Sequence, residues 1–315
     1  MTARTWQILG LLCMATPFLD GQHGGVAGPV AGYVFDGSAR VLRPILGIPG
    51  AWLIGTPVDV GFDLASAYVS PRQDSAFLVG ADGSLHWFRL NGGAADGRAC
   101  DGLSTVPERV AFSPSGTAAV LYSAGVAQVV TGLPDAPAVT ATLDVGGAAS
   151  GSPAISDDGA FLSFAASGSM QVLGAAGENR KLMDVGDSAL VAFAPGGHDA
   201  AVADPGGAGV VLFRDVAGTF TQSLLAPPDD SIAAPAGLAF SSDGRRLYLA
   251  SSAARSVTVF DLATGDRSAI ACNCAPAALV PMGNRFRLNE PGAGPLWLLD
   301  AGSRDSRVVF VPAAQ

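Results

Sequence analysis

The residues able to do chemistry in this chain are few and scattered. Cys272 and Cys274 flank Asn273. Two thiols at that spacing close a disulfide only where the backbone bends, because the Cα atoms of an extended tripeptide lie near the upper limit for the bond. A local disulfide suits an oxidising compartment. Two free thiols, or a metal or redox role, stay open beside it, although two thiolates alone are an incomplete zinc site. Cys100 lies in another repeat and is expected to be out of their reach. His86 and His198 are the histidines in a position to act, with His23 near the N-terminus. A nucleophilic triad needs a histidine oriented by a carboxylate and adjacent to Ser or Cys. His86 falls on a strand between Leu85 and Trp87, and His198 follows a turn glycine, so both read as edge or surface histidines.

Paired carboxylates occur at Asp157-Asp158 and Asp229-Asp230. Oxygen ligands of this kind can hold calcium, but the first pair sits in a turn, where Asp is favoured for its local hydrogen bonds. The second follows Pro227-Pro228 in a loop. Asp59 and Asp63 flank the entry to a repeat and are the acidic residues placed to face a central channel. Trp52, Trp87 and Trp297 could stack on a sugar or quinone, yet strand aromatics in a repeat usually pack the core. Gly-rich stretches such as Asp204-Pro205-Gly206-Gly207 lack the Lys and the following helix of a phosphate-cradling loop. No catalytic residue, metal site or cofactor is assigned from these residues.

The elements that must position them repeat along the chain. Turns of one type recur at Ser113-Pro114-Ser115-Gly116, Ser156-Asp157-Asp158-Gly159, Ala194-Pro195-Gly196-Gly197 and Ser241-Ser242-Asp243-Gly244. Their last glycines are 43, 38 and 47 residues apart. The same period reaches Ser70 to Asp74 before them and Met282 to Arg285 after them. An apolar strand end precedes each turn. Two strands follow, such as Leu247 to Ala250 and Val257 to Phe260, and then a fainter fourth. The fourth strands are expected at Leu103 to Val106, Val139 to Leu143, Lys181 to Val185, Phe220 to Leu225, Ser268 to Cys272 and Val308 to Val311. A seventh unit precedes these six: Tyr33 to Phe35, the Asp36-Gly37 turn, Val41 to Leu46 and Ala51 to Ile54. It has no evident innermost strand unless Val26 to Val30 supplies one. Units of 38 to 47 residues with four strands each are the signature of propeller blades, which bury their faces only by stacking on one another. The expected fold is all-β, a seven-bladed propeller of four-stranded antiparallel blades. Six blades with an N-terminal hairpin is the alternative.

The cleanest copy is Gly237 to Asp266. Phe240-Ser241-Ser242-Asp243-Gly244 leads to Leu247-Tyr248-Leu249-Ala250, then to Val257-Thr258-Val259-Phe260-Asp261 and Thr264-Gly265. This stretch resembles the YVTN-type repeat of secreted bacterial β-propellers; the other blades match it mainly at the turn. The resemblance implies the propeller fold and says little of function, since relatives include surface-layer adhesins, lactonase-type enzymes and quinoprotein-like sensors or dehydrogenases.

The N-terminus reads as a secretory leader, with Arg4 before a short apolar run from Ile8 to Ala15. That run is too short to cross a bilayer. Cleavage is expected between positions 15 and 21, leaving 22–315 as a single propeller that is secreted or periplasmic. Cys13 follows Leu12 rather than the small residue expected before a lipidated cysteine. Net charge is −9 and Lys181 is the only lysine, which argues against a nucleic-acid partner. Arg245, Arg246, Arg255 and Arg267 read as a solvated strand face. No later stretch is long and apolar enough for a membrane span. The expected protein is a monomeric, non-enzymatic scaffold for a protein, glycan or cell-envelope partner, with a lactonase-like hydrolase as the alternative.

Overall fold

The computed structural model describes residues 28–313, apart from positions 99, 101, 104, 105, 147, 148, 303 and 304. The leader, its cleavage region, Cys13 and His23 lie outside the described residues. Seven antiparallel sheets follow one another along the chain, six of four strands and the first of three. The four-stranded blades span 64–98, 109–144, 149–184, 190–226, 235–271 and 280–311, and the first sheet spans 30–54. Helix among the described residues amounts to one 3-10 turn, Asp230–Ile232. None of their helices is long and apolar enough to cross a membrane.

Alternation in the middle strands has a different cause from that of a half-buried sheet. In the sixth blade, Leu247 and Leu249 pack toward the fifth blade with Ala201 and Leu212, while Tyr248 and Ala250 pack toward the seventh with Phe286 and Leu299. All four are fully buried. The period of two therefore sorts side chains between two apolar neighbours rather than between core and water. Each fully buried Leu contributes on the order of 1.5–3 kcal/mol, so stacking supplies the stability that an isolated blade lacks.

The recurrent turn is built the same way in the third, fourth and sixth blades. The Ser hydroxyl accepts a backbone N–H five residues on, at 3.1 Å for Ser113 and Ala118, 3.0 Å for Ser156 and Phe161, and 2.9 Å for Ser241 and Arg246. Gly116, Gly159 and Gly244 close these turns at φ of +69 to +71°, a region that side chains disfavour. The turns are also stitched across blades. Asp157 accepts Ser115 N–H at 2.7 Å and Gly196 N–H at 2.8 Å, joining three blades through one carboxylate.

The first sheet comprises Val30–Asp36, Val41–Leu46 and Leu53–Ile54. Its Asp36-Gly37-Ser38 corner repeats Asp82-Gly83-Ser84 of the second blade: each Asp Oδ1 accepts the hydroxyl of the following Ser at 2.6 Å. Those corners join second to third strands, so the first sheet holds the second, third and fourth positions of a blade. Val30 thus opens a second-position strand and does not supply the innermost one. The first sheet closes the ring against the last blade, where Val34, Ile45 and Trp52 pack with Met282, Leu298 and Val311. No strand is exchanged between these two sheets among the described residues.

One strand assignment is corrected. The outer strand of the second blade is Ala94–Arg98, not Leu103 to Val106. Gly92 and Gly93, at φ of +59° and +94°, turn the chain back at once. The returning Ala-Ala-Asp-Gly-Arg strand is largely exposed and held by backbone pairing, so it lacks the apolar alternation that marks a strand in sequence.

Candidate functional site

Six innermost strands line the axis: Leu64–Val69, Arg109–Phe112, Ala149–Ile155, Leu190–Phe193, Pro235–Phe240 and Val280–Met282. Their sequences, LASAYV, RVAF, ASGSPAI, LVAF, PAGLAF and VPM, contain a single ionisable group besides Tyr68, the guanidinium of Arg109. Arg109 donates to the Gly151 carbonyl of the next blade and lies over the Tyr122 ring, 5.5 Å from its centroid. Small side chains are needed on this wall. A Cβ on Gly237 would approach Leu279 N to 2.6 Å. The wall is thus packed with small and apolar groups.

Polar chemistry gathers instead in a cleft between the first two blades. The segment from Gly55 to Asp63 crosses from one to the other and is pinned at both ends. Gly55 N–H donates to Pro44 O and Val58 N–H to Leu42 O, each at 2.8 Å, and Ala81 N–H donates to Asp63 O at 2.8 Å. Val58 and Leu64 are buried beneath it. Above these anchors lies a cleft of about 380 Å³, lined by Arg40, Asp59, Phe62 and Asp63 among others. The two acidic residues singled out from the sequence therefore share one cleft. Arg40 joins them from the corner of the first sheet, where its backbone takes φ of +55°. Asp59 Oδ1 accepts Gly61 N–H at 2.9 Å.

Beside the cleft, Phe62 packs against His86 with ring centroids 4.6 Å apart and the rings inclined at 40°. His86 Nε2 is 2.7 Å from Ser84 Oγ, and Ser84 Oγ donates to Asp82 Oδ1 at 2.6 Å. The Ser84 hydroxyl and amide hold the Asp82 carboxyl below its ordinary range. The order differs from that of a triad, in which the carboxylate orients the histidine. Here the carboxylate accepts the serine hydrogen bond, leaving His86 to donate to Ser84 Oγ. Sequence reasoning missed both Arg40 and Ser84. Arg40 is distant in sequence from the acidic residues, and Ser84 looks like ordinary turn chemistry.

The remaining sequence candidates have structural partners. His198 Nε2 lies 2.8 Å from Asp158 Oδ2, with Phe161 edge-on at 4.8 Å, linking the fourth and fifth blades. Burial pushes the Asp158 carboxyl upward, but hydrogen bonds from Ser156, Ala160 N–H and His198 outweigh it and leave the pKa lowered. Asp229 caps the short 3-10 turn and takes a forked pair of hydrogen bonds from Arg267, which with the Ser231 hydroxyl lowers its pKa to about 2. Among the described residues, no group of three His, Cys, Asp or Glu side chains comes together as a metal cluster. Trp87 is packed on Phe77 at 4.6 Å, Trp52 lies under Arg285 at 4.8 Å, and Trp297 stands against Phe310 at 5.8 Å. Cys272 and Cys274 are joined in a disulfide with Cα atoms 4.9 Å apart, both buried. The bond tightens the crossover from sixth to seventh blade, beneath Tyr248 and Phe286.

No family model and no curated protein matches the chain. Solved structures do resemble it. A protein from Lactobacillus plantarum has a TM-score of 0.58 at 17% identity, covering 90% of this chain and 95% of its own. A proposed 6-phosphogluconolactonase from Bacteroides fragilis has a TM-score of 0.58 at 15% identity, covering 90% and 94%. A protein of unknown function from Desulfotomaculum acetoxidans has a TM-score of 0.56 at 13% identity, covering 90% and 100%. At these identities the likeness is one of fold. The class is that of the seven-bladed β-propellers.

Proposed function

We propose that this chain is a secreted, monomeric β-propeller of the YVTN-repeat kind, non-enzymatic, that presents its first two blades to a protein, glycan or cell-envelope partner. In this reading residues 1–21 are the leader and 22–315 the propeller. The observation that carries it is the inner wall: the channel is lined by small and apolar residues, and Arg109 is engaged with the neighbouring blade. Reactive groups at a channel mouth are what a propeller enzyme of the expected kind requires, whereas a pinned, mixed-charge cleft suits recognition. The test is a thermal-shift screen with EDTA, calcium and lactones. The binding reading expects unchanged melting in all three, since a ligand selective for the native state raises apparent stability.

A second reading has one specific observation behind it. Ser84 Oγ and His86 Nε2 are within hydrogen-bond distance beside the cleft, so rotation of the Ser84 hydroxyl from Asp82 to His86 would pair a serine nucleophile with its base. A lactonase-like or other hydrolase would use them. Lactone hydrolysis lost in Ser84→Ala and His86→Ala would support that reading over the scaffold.

A further inference from the structure

We propose that the cleft between the first two blades binds a neutral sugar ring. The inference rests on the binding reading above and names the ligand class of that site. Charge decides first. Two carboxylates, Asp59 and Asp63, and one guanidinium, Arg40, line the same cleft. A phosphorylated or carboxylated ligand meets two like charges there, and a bare cation meets Arg40 with too few acidic partners. A neutral ligand bearing several hydroxyls satisfies both signs at once: hydroxyls donate to the carboxylates and accept from the guanidinium, and such charge-assisted bonds are the stronger ones.

Shape and surface agree. The volume of about 380 Å³ lies at the small end of the roughly 300–1,000 Å³ spanned by small-molecule sites, suiting a mono- or disaccharide. Half-buried Phe62 supplies an apolar wall for the C–H face of a pyranose, and its ring is braced by His86 at 4.6 Å and Phe88 at 5.8 Å, which themselves lie 6.4 Å apart. The crossover that carries Asp59, Phe62 and Asp63 is fixed by its three backbone hydrogen bonds and by buried Val58 and Leu64. Binding would therefore incur little loop-ordering cost.

The experiment is ligand-observed NMR and calorimetry on the 22–315 chain with two panels: neutral mono- and disaccharides, and free amino acids with dipeptides. Asp63→Ala, Asp59→Ala and Phe62→Ala are run in parallel, each checked for native melting, with Asp135→Ala as an exposed control. The expected result is that at least one neutral sugar binds, that Asp59→Ala and Asp63→Ala each weaken it about ten-fold, as loss of one charge-assisted bond implies, and that Phe62→Ala also weakens it through loss of the apolar wall. The control should leave binding unchanged. If no sugar binds, or if sugar binding is indifferent to all three substitutions, the proposal is overturned. Should amino acids bind with Asp59 and Asp63 dependence, the sugar class is overturned while the cleft remains a binding site. Binding of neither panel, together with hydrolysis of lactones, would overturn the binding reading itself.

Discussion

Replacing Gln73 tests how the ring closes at its incomplete blade. Gln73 lies in the turn between the first two strands of the second blade, yet its Oε1 accepts Tyr33 N–H of the first sheet at 2.7 Å. An innermost strand would offer a carbonyl to that edge, so the side chain takes the place of a ladder partner. Its Nε2 donates to Ser70 O at 2.9 Å, and Met282 of the last blade lies against Gly32 beside it. Pro71 O accepts Gly283 N–H at 2.6 Å, so the blades flanking the first sheet bond directly to each other. Tyr33 is only 4% exposed, so Gln73→Ala leaves a buried N–H without its acceptor, at a cost of about 1–3 kcal/mol. Gln73 itself sits at φ of +63°. Alanine keeps that penalty and glycine relieves about 1 kcal/mol of it, so Gln73→Gly should be less damaging than Gln73→Ala. Hydrogen exchange followed residue by residue is the assay. The Tyr33 amide should exchange about 5- to 150-fold faster in Gln73→Ala, following the same free energy, while the Leu247 and Leu249 amides of the sixth blade keep their rates. Unchanged Tyr33 exchange in the alanine variant would refute the role of Gln73 as a substitute strand partner.

Three further outcomes are expected. Thiol titration of the denatured protein should find two more reactive thiols after reduction than before, from Cys272 and Cys274; equal counts would rule out their bond. Asp229 is held at a pKa of about 2 against an ordinary 3.8, so its ionised form favours the folded state. Its contribution is complete above pH 3.8 and is lost as pH falls through about 2. The melting difference between the native protein and Asp229→Asn should follow that window, and a difference independent of pH from 2 to 6 would contradict it. Gly237→Ala should destabilise by about 1–3 kcal/mol through overpacking, because the new Cβ meets both Leu279 Cβ and its backbone N. Thermal melting reads this, and an unchanged midpoint would show that the two inner strands can separate freely.

Much of the fold was legible because its turn chemistry is repeated in the sequence. Ser, Asp and Gly at fixed offsets mark a turn whose hydroxyl, carboxylate and positive φ are all used, as at Ser241, Asp243 and Gly244. Legibility failed where pairing is carried by backbone alone, as in Ala94–Arg98. The strand expected at Ala51 to Ile54 is present as Leu53–Ile54, and the corner before it shares its backbone shape with a distant corner of little sequence likeness. Gly47 and Gly132 both turn at positive φ, and a Cβ on either would strike the carbonyl four residues on, Ala51 O or Ala136 O. That shared corner places Leu53–Ile54 as a fourth strand. At the cleft, Asp59 and Asp63 stood out as unpaired acids at a blade entry. Arg40 did not, because nothing in its own segment marks it as their neighbour.

The division between packing and recognition follows from where the repeat is obeyed. From the third to the seventh blade, both faces of the middle strands are covered and the inner wall is small and apolar. The turn carboxylates there bind neighbouring turns, as Asp157 does for three blades. The first sheet obeys the repeat least. It has no innermost strand among the described residues, and its fourth strand is two residues long. Its crossover must then span from a short outer strand to the next inner one, bonded to the sheet at Gly55 and Val58, and the bend beyond exposes Asp59, Gly61 and Asp63 above buried Val58 and Leu64. Irregularity in the repeat thus accompanies the cleft between the first two blades. Asp59 and Asp63 therefore lie in one cleft because the incomplete blade leaves their segment outside the sheet.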